Sequence, residues 1–418
     1  MLRSRESFIN KIFQSDAREL AEFLPRGFVH CIVTSIPYYR HRNYGVEPLV
    51  FGGDKSCAHR WGQVDILPPK SGGLNGSGLE EAKPNLHQRP SFESRYCEDC
   101  GAWLGQYGGE PSVSQYIKNT VEVFAALKKL LREDGVCWLN VGDSYSPKNE
   151  PNGIKAKDLC LIPARVAIAL QEDGWFVRSS LPWIKRNAMP GPEKDRPTGG
   201  GSSIEYFLML TKGEPFFDLE AIKLKADESL QRSFRNSDLF VQSLENGKPR
   251  GLIAGGTDSL QGLLAIDVNT FPNLSKHTAP FNHNLIAPLI KMSTSEKGCC
   301  GECGAQWTRK VKRENVKRHL LPKSDKRYRP KEYSGTYSEL KGKTHFGFSK
   351  TKTVGWEKPC NCKRAEIVPA IVCDPFMGSG TTAWVAERLG LEYVGGELSK
   401  DNLSICKDRL VNKQNELF

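Results

Sequence analysis

A segment near the end of the chain has the residue types of a nucleotide-type ligand loop. It is Ile371-Val372-Cys373-Asp374-Pro375-Phe376-Met377-Gly378-Ser379-Gly380-Thr381-Thr382, which reads as a strand, a glycine turn and a helix start. Glycine lets the backbone approach a ligand closely, and a helix N-terminus offers free N–H groups. Glu397, after the next expected strand, suits ribose hydroxyls. These features fit NAD, FAD or S-adenosylmethionine, but the G-x-G-x-x-G fingerprint is missing, and Asp374 suits a ligand with a cationic amino group.

A second segment near the start of the chain has the form of a ligand-binding strand end. The apolar run 28–33 predicts a buried strand, and Thr34-Ser35-Ile36-Pro37-Tyr38-Tyr39 follows it. Pro37 has no N–H to continue a ladder and biases Ile36 to an extended conformation. Open α/β sheets bind ligands at the carboxyl ends of their strands, so Ser35 and Tyr38 are candidates for a site. The alternative is a chance Pro-Tyr pair after a strand.

The 13 cysteines include two sets with metal-ligand spacing. One set is Cys57, His59, Cys97 and Cys100, and the other is Cys300, Cys303, Cys360 and Cys362. Each set offers the four soft ligands of a structural zinc site, and the glycine after each Cys-x2-Cys permits a tight turn. The alternatives are free thiols in loops and, in the second set, Cys299 in place of Cys300.

The elements that would position these groups alternate between strand and helix. Helical patterning covers 16–24, 113–132, 160–172 and 381–389, and strand patterning covers 136–141, 175–183, 205–210, 367–373 and 393–396. Asp134-Gly135 is expected to end a helix, and 65–95 is expected to be a flexible loop. The alternation predicts an α/β fold with a largely parallel sheet.

Positive charge is concentrated in one stretch of the chain. Between Thr308 and Lys358 there are 16 Lys and Arg against 5 Asp and Glu, an excess of 11 that equals the formal charge of the whole chain. Such a tract, interleaved with tyrosine and phenylalanine, suits a phosphate backbone, and the alternative is a solvated insertion that aids solubility. The chain has no apolar run of membrane-spanning length and no signal-peptide pattern, so we expect no membrane partner and a cytoplasmic location, in a bacterial or phage-infected cell.

The two ligand motifs together resemble the β group of DNA amino-methyltransferases, whose hallmarks are a (D/S)-P-P-Y motif followed by an F-x-G-x-G loop. The resemblance runs from about residue 10 to 410 and includes the stretches 138–145, 195–198 and 295–300. It implies a Rossmann-like, S-adenosylmethionine-dependent methyltransferase fold with a mostly parallel sheet and helices on both faces. It also implies base flipping in double-stranded DNA, and it leaves open a paired restriction endonuclease and a homodimer. A C5-cytosine mechanism is rejected because Pro359-Cys360 precedes the cofactor loop.

The resemblance assigns roles to Ser35-Ile36-Pro37-Tyr38, the motif that would bind the methyl acceptor and is called the acceptor motif below. The Ser35 side chain and the Ile36 carbonyl would accept hydrogen bonds from the two N–H groups of an exocyclic amine, and Tyr38 would stack on the extruded base. Ile36 stands where the pattern has Pro, which puts rigidity in doubt but keeps the carbonyl. Ser35 leans toward N4 of cytosine as the target, while N6 of adenine and a catalytically silent DNA-binding relative remain alternatives.

Cofactor contacts follow from the same resemblance, although Asp16 matches its motif only in part and His277 has an equal claim to a structural role. The assigned residues are Asp16, Thr34, His277, Phe281, Asp374, Pro375, Phe376, Gly378, Ser379, Gly380, Thr381 and Glu397.

The segments predict a methyltransferase core interrupted by insertions. The acceptor motif lies in 1–49, core segments are 101–218 and 265–298, and the cofactor loop lies in 364–418. The insertions are 50–100 with the first cysteine set, 219–264 as a target-recognition region, and the basic 299–363 with the second cysteine set.

Overall fold

The computed structural model describes residues 5–67, 91–185, 204–222, 264–265, 282–317, 323–324, 347–363 and 366–411. The chain divides into two compact units. One contains Met1–Ala221, Gly251–Thr294 and Pro369–Phe418, and the other contains Ile222–Arg250 and Ser295–Val368. No helix within the described ranges is long and apolar enough to cross a membrane.

The first unit contains an eight-stranded sheet and a smaller, four-stranded sheet. Its strands are β1 (Lys11–Phe13), β2 (Val29–Ser35), β3 (Leu49–Phe51), β4 (Asp65–Leu67), β5 (Phe92–Tyr96), β6 (Trp103–Gly105), β7 (Leu131–Gly142), β8 (Phe176–Ile184), β9 (Ile204–Thr211), β10 (Leu264–Ala265), β15 (Ile371–Asp374) and β16 (Glu392–Gly396). Its helices are α1 (Ala17–Phe23), α2 (Val113–Leu130), α3 (Ile162–Glu172), α4 (His283–Ser293), α5 (Thr381–Arg388) and α6 (Lys400–Val411). Short 3-10 turns occupy Arg5–Ser7 and Leu219–Ile222.

The large sheet has the order β1-β16-β15-β2-β7-β9-β8-β10. All neighbouring strands are parallel except β9, which is antiparallel to both β7 and β8. Helices α1, α2 and α3 pack together, as do α4, α5 and α6, and both groups contact the sheet. The expected α/β fold with a mostly parallel sheet and helices on both faces is therefore confirmed.

Burial explains why the central strands read as apolar runs rather than as alternating patterns. Residues Val29–Thr34 of β2 are all buried, as a parallel strand covered on both faces requires. Helix α2 presents a stripe that includes Val123, Phe124 and Leu127 to the core, and the Ser112 side chain accepts a hydrogen bond from Gln115 N at its start. Because β15, β2 and β7 are parallel neighbours, their carboxyl ends meet at one edge of the sheet.

Three sequence expectations are corrected by the structure. Within the expected flexible loop 65–95, residues 65–67 form β4 and 92–95 belong to β5, and the two strands pair in the antiparallel sheet β3-β6-β5-β4. Strand β7 begins at Leu131, so Asp134-Gly135 lies inside a strand instead of ending the helix. The expected strand 367–373 is broken at Pro369, which has no N–H for a ladder, into Ile367–Val368 and Ile371–Asp374.

The described residues of the second unit form two antiparallel ladders. Strands β12 (Thr308–Lys317) and β13 (Gly347–Glu357) form a long hairpin with an irregularity between Lys310 and Val311. Strands β11 (Cys299–Cys300) and β14 (Ile367–Val368) pair in a second ladder.

Candidate functional site

A cavity of about 570 Å³ opens at the carboxyl ends of β15, β2 and β7 in the first unit. Its wall includes both sequence motifs, because Ser35 to Tyr38 and Asp374 to Ser379 line it together. The parallel register of β15 beside β2 brings these motifs together although they are 340 residues apart in the chain.

Asp374 is the anchor of the loop half of the cavity. One carboxylate oxygen accepts from Thr34 Oγ1 at 2.7 Å and from Phe376 N at 3.0 Å, and the other accepts from Thr382 Oγ1 at 2.7 Å. Desolvation raises the pKa of Asp374 to about 6, although these three hydrogen bonds favour the ionised form. Asp374 therefore offers the cavity a carboxylate that is ionised at neutral pH and rigidly held.

Glu397 braces the same loop from the end of β16. One oxygen accepts from Gly378 N at 2.7 Å and the other from Ser399 N at 2.8 Å. Gly378 has φ +53° and Gly380 has φ +82°, conformations that favour glycine, and Gly380 is the N-cap of α5. The loop is therefore shaped by two glycines and tied down by two carboxylates.

The structure places the other residues assigned to a cofactor unevenly. Pro375, Phe376, Ser379, Thr381 and Asp16 line the cavity with Asp374, Gly378 and Glu397. Thr34 does not line it and instead supports Asp374, while Gly380 lies against Cys406. His277 and Phe281 lie outside the described residues.

Packing and a hydrogen bond hold Ile36 and Pro37 in the strand-end half of the cavity. Ile36 is 2% exposed and packs in the core, and the Pro37 carbonyl accepts from Tyr116 Oη at 2.8 Å. A side chain at Gly108 would lie 2.8 Å from Pro37 Cβ, so Gly108 permits a close approach to the motif. These contacts supply rigidity where the sequence lacks a second proline.

Tyr38 is fixed by a polar network. Its Oη lies 2.6 Å from Glu205 Oε2 and 2.7 Å from Asn140 Oδ1, and Ser35 Oγ donates to the same Oη over a long 3.4 Å. Burial, followed by the charge of Glu205, raises the pKa of Tyr38 well above its ordinary value, so the phenol keeps its proton.

Sequence reasoning did not identify Glu205 and Lys185, which form an ion pair at this network, with Glu205 buried and Lys185 partly buried. Glu205 is at the second position of β9 and Lys185 directly follows β8. Both residues line the cavity, as does Asn140 of β7. The available signal was their position at strand ends on the edge that carries Ser35, but only the sheet order shows that those ends meet.

The first cysteine set converges in the small antiparallel sheet of the first unit. The ligand atoms of Cys57, His59, Cys97 and Cys100 all lie within 4.8 Å of one another. Cys57 Sγ is 3.8 Å from Cys97 Sγ, and Cys100 Sγ is 3.4 Å from His59 Nδ1. A tetrahedral zinc with ordinary bond lengths separates two sulfurs by about 3.8 Å and a sulfur from a nitrogen by about 3.6 Å. The donor set and its spacing therefore fit zinc.

The second cysteine set converges in the second unit at the base of the β12–β13 hairpin. Cys300, Cys303, Cys360 and Cys362 also place their sulfurs within 4.8 Å of one another. Desolvation raises the pKa of Cys300, but backbone hydrogen bonds from Cys303 and Glu302 contribute to an overall lowering to about 7. Cys299 is not in the set, and its thiol donates to the Val368 carbonyl at 3.4 Å.

The hairpin itself carries like charges side by side. Lys312 lies directly opposite Lys352 in the β12–β13 register, and both are exposed. Exposed lysines at opposing positions of a ladder present a concentrated positive charge to solvent, and such charge attracts phosphate groups. The hairpin is therefore a candidate surface for phosphate groups.

Comparison with known proteins agrees with this geometry. A family profile described as DNA methylase (N6/N4 methyltransferase) matches residues 29–301 and 365–408. The type II methyltransferase M.Cfr9I of Citrobacter freundii is 30% identical, over 96% of this chain and 87% of its own length. M.SmaI of Serratia marcescens, another type II methyltransferase, is 31% identical over 97% of this chain and 91% of its own.

Among solved structures, the PvuII DNA methyltransferase, described as cytosine-N4-specific, matches with a TM-score of 0.48 and 14% identity. The match covers 97% of this chain and 88% of that one.

Proposed function

The chain belongs to the N6/N4 family of DNA methylases, and from that premise we propose that it methylates the N4 amine of cytosine with S-adenosylmethionine as the donor. The target base would be flipped out of double-stranded DNA, because an amine inside the duplex cannot reach the donor. The observation that carries the proposal is a single cavity lined by both the Asp374 loop and the Ser35–Tyr38 strand end.

The loop half of the cavity fits the methyl donor. S-adenosylmethionine supplies an activated sulfonium methyl group, a cationic amino group and a ribose. Asp374 presents a buried carboxylate to the amino group, and Glu397 presents one to the ribose hydroxyls. The glycine turn allows the backbone to approach the ligand closely. The chain thus offers one carboxylate to the amino group of the donor and another to its ribose.

The strand-end half of the cavity fits the target amine. An exocyclic amine is a poor nucleophile, because its lone pair is delocalised into the ring. Ser35 Oγ directs its own proton to Tyr38 Oη, so its lone pairs remain available for one N–H of the amine. The Ile36 carbonyl would accept the other N–H. Two acceptors favour a pyramidal nitrogen whose lone pair points at the methyl group, and positioning then supplies most of the rate.

Ser35 is the residue that favours cytosine over adenine, and N6-adenine is the second candidate because that preference rests on resemblance alone. The test is mass spectrometry of DNA nucleosides after expression of the full chain in a host without its own DNA methyltransferases, with Ser35→Ala as the matched control. We expect N4-methylcytosine with the wild type and none with the control. N6-methyladenine without N4-methylcytosine would overturn the base assignment.

A catalytically silent DNA-binding relative is the main rival from another class, motivated by Ile36 at a proline position. Purified protein that binds S-adenosylmethionine but transfers radiolabelled methyl to no duplex DNA would favour that rival. Transfer to RNA or protein in the same assay, with none to DNA, would instead move the substrate class.

We propose two further parts of the apparatus. Phosphates of the DNA backbone would bind the basic β12–β13 hairpin, supported by the exposed Lys312–Lys352 pair. Base recognition is assigned by resemblance to 219–264, which lies mostly outside the described residues. The type II names of the relatives support a paired restriction endonuclease, and a homodimer stays a prediction.

Each cysteine set is proposed to hold one structural zinc ion, supported by the four converging ligand atoms in each. Metal analysis of the purified full chain should give two zinc ions per protein, and a metal-free folded protein would refute the assignment.

A further inference from the structure

Strand β3 is part of the small antiparallel sheet and also lines the cavity. It pairs with β6 in the small sheet that carries the first cysteine set, and β6 begins three residues after Cys100. Leu49 and Phe51 of β3 also line the cavity assigned to the methyl donor and the base. A loss of structure in the small sheet would therefore also displace residues in the wall of the cavity.

Aromatic side chains connect the small sheet of the first cysteine set to the donor loop, which is the segment from Asp374 to Thr382. The ring centroid of Trp103 is 5.6 Å from that of Phe51, Phe51 is 5.8 Å from Tyr107, and Tyr107 is 5.8 Å from Phe376. Trp103 and Phe51 are 1% and 2% exposed, so this row of rings is close-packed. Phe376 lies in the donor loop, two residues after Asp374.

A polar contact reinforces the same wall. The Arg18 guanidinium lies 4.0 Å above the Phe51 ring and donates to the Val50 carbonyl at 2.8 Å and to Asp16 at 2.7 Å. Asp16 lines the cavity, and its side chain also caps α1. The position of β3 is thus coupled to a second segment assigned to the methyl donor.

The strands of the small sheet are short. Strands β3, β4 and β6 have three residues each and β5 has five, which is short for an independent sheet. The four ligands come from the segment after β3 and the turn between β5 and β6, so a metal ion would cross-link the two. Gly53 lies so close that a side chain there would be 2.8 Å from Cys100 Sγ.

We propose that the metal ion bound by Cys57, His59, Cys97 and Cys100 braces the donor-binding wall, so that its presence raises the affinity for S-adenosylmethionine. The metal ion of the second set, which lies in the other unit, has no such effect. The proposal rests on the methyl-donor site proposed above. Coupling between linked sites typically changes affinity by about fivefold or more.

Linkage gives a test that needs only the wild-type protein. If metal tightens donor binding, the donor must tighten metal binding by the same factor. Zinc-loaded full-length protein is brought to equilibrium with a graded chelator, with and without saturating S-adenosylhomocysteine, and the zinc retained is measured. We expect one of the two zinc ions to bind at least about fivefold more tightly with the nucleoside present, and the other to be unchanged. Identical competition curves would overturn the proposal.

Paired variants identify which site is coupled, with calorimetry measuring the Kd for S-adenosylhomocysteine. Cys57→Ser should bind one zinc ion and the nucleoside at least about fivefold more weakly. Cys303→Ser should bind one zinc ion and keep the wild-type Kd. Arg60→Gln removes exposed ion pairs beside the first set without removing a ligand, and it should keep two zinc ions and the wild-type Kd.

Equal weakening in Cys57→Ser and Cys303→Ser, or a folded Cys57→Ser protein with the wild-type Kd, contradicts the proposal. If Cys57→Ser does not fold, the wild-type competition decides. Zinc-loaded wild type that binds no nucleoside at all would instead refute the proposed methyl-donor site.

Discussion

Gly142 offers a direct test of how Tyr38 is positioned, because replacing it with alanine adds one methyl group beside the tyrosine ring. That methyl carbon would lie 2.6 Å from Tyr38 Cε2, 2.9 Å from Cδ2 and 3.2 Å from Cζ. Ordinary contact begins at about 3.4 Å, so the ring must move by about 0.8 Å. Gly142 has no left-handed φ, so the backbone itself tolerates alanine and the effect falls on the ring.

A displacement of that size cannot preserve both short contacts of Tyr38 Oη, at 2.6 Å to Glu205 and 2.7 Å to Asn140. A hydrogen bond to a charged group contributes about 1.5–3 kcal/mol, which corresponds to a loss of about 10- to 150-fold if it is needed in the transition state. We therefore expect Gly142→Ala to lower kcat by about 10- to 150-fold and to leave the Kd for S-adenosylmethionine within a factor of two.

The assay is single-turnover transfer of radiolabelled methyl to duplex DNA, with donor affinity measured separately by calorimetry. Gly213→Ala is the matched control, because a side chain there would meet only the Glu133 carbonyl at 3.9 Å, and it should behave as the wild type. If Gly142→Ala methylates DNA at the wild-type rate, the reasoning that a fixed Tyr38 ring is required for transfer is refuted.

Three further predictions follow from the same structure. Tyr38→Phe, which removes the hydrogen bond to Glu205, and Glu205→Gln, which removes the charge of its acceptor, should each lower kcat by about tenfold or more. The double variant should lose little beyond the worse single one, because both substitutions act on the same hydrogen bond; additive losses would contradict this. Affinity for S-adenosylmethionine should be flat above pH about 6 and fall about tenfold per pH unit below it. The reason is that the Asp374 pKa is raised to about 6 and the cationic ligand needs the ionised form; Asp374→Asn should abolish this dependence, and a wild-type affinity that is flat from pH 5 to 8 would refute it. Lys312→Ala combined with Lys352→Ala should reduce the slope of log K for DNA against log salt by about 2 without changing donor affinity; an unchanged slope would show that these lysines contact no phosphate.

The sequence by itself determined the fold class and the two halves of the site. The apolar, β-branched run 28–33 favours a strand buried on both faces, and the amphipathic period of 113–132 favours a helix with one buried face. The glycine turn after Asp374 and the Pro-Tyr after Ser35 are local in character, because each depends on backbone conformations that neighbouring residues impose. The two cysteine sets were readable for the same reason, since knuckle spacing is a local property.

The tertiary structure alone decided what surrounds those motifs. Glu205 and Lys185 look like ordinary charges near strand ends, and only the order β2-β7-β9-β8 places them against Tyr38. Phe51 and Tyr107 carry no local sequence signal of a site, yet the structure places both in the wall of the donor cavity. Such contacts join residues far apart in sequence, and no periodicity encodes which strand ends will meet. The motifs that would bind ligands could therefore be predicted from the sequence, whereas the contacts that position their side chains depend on the strand order of the sheet.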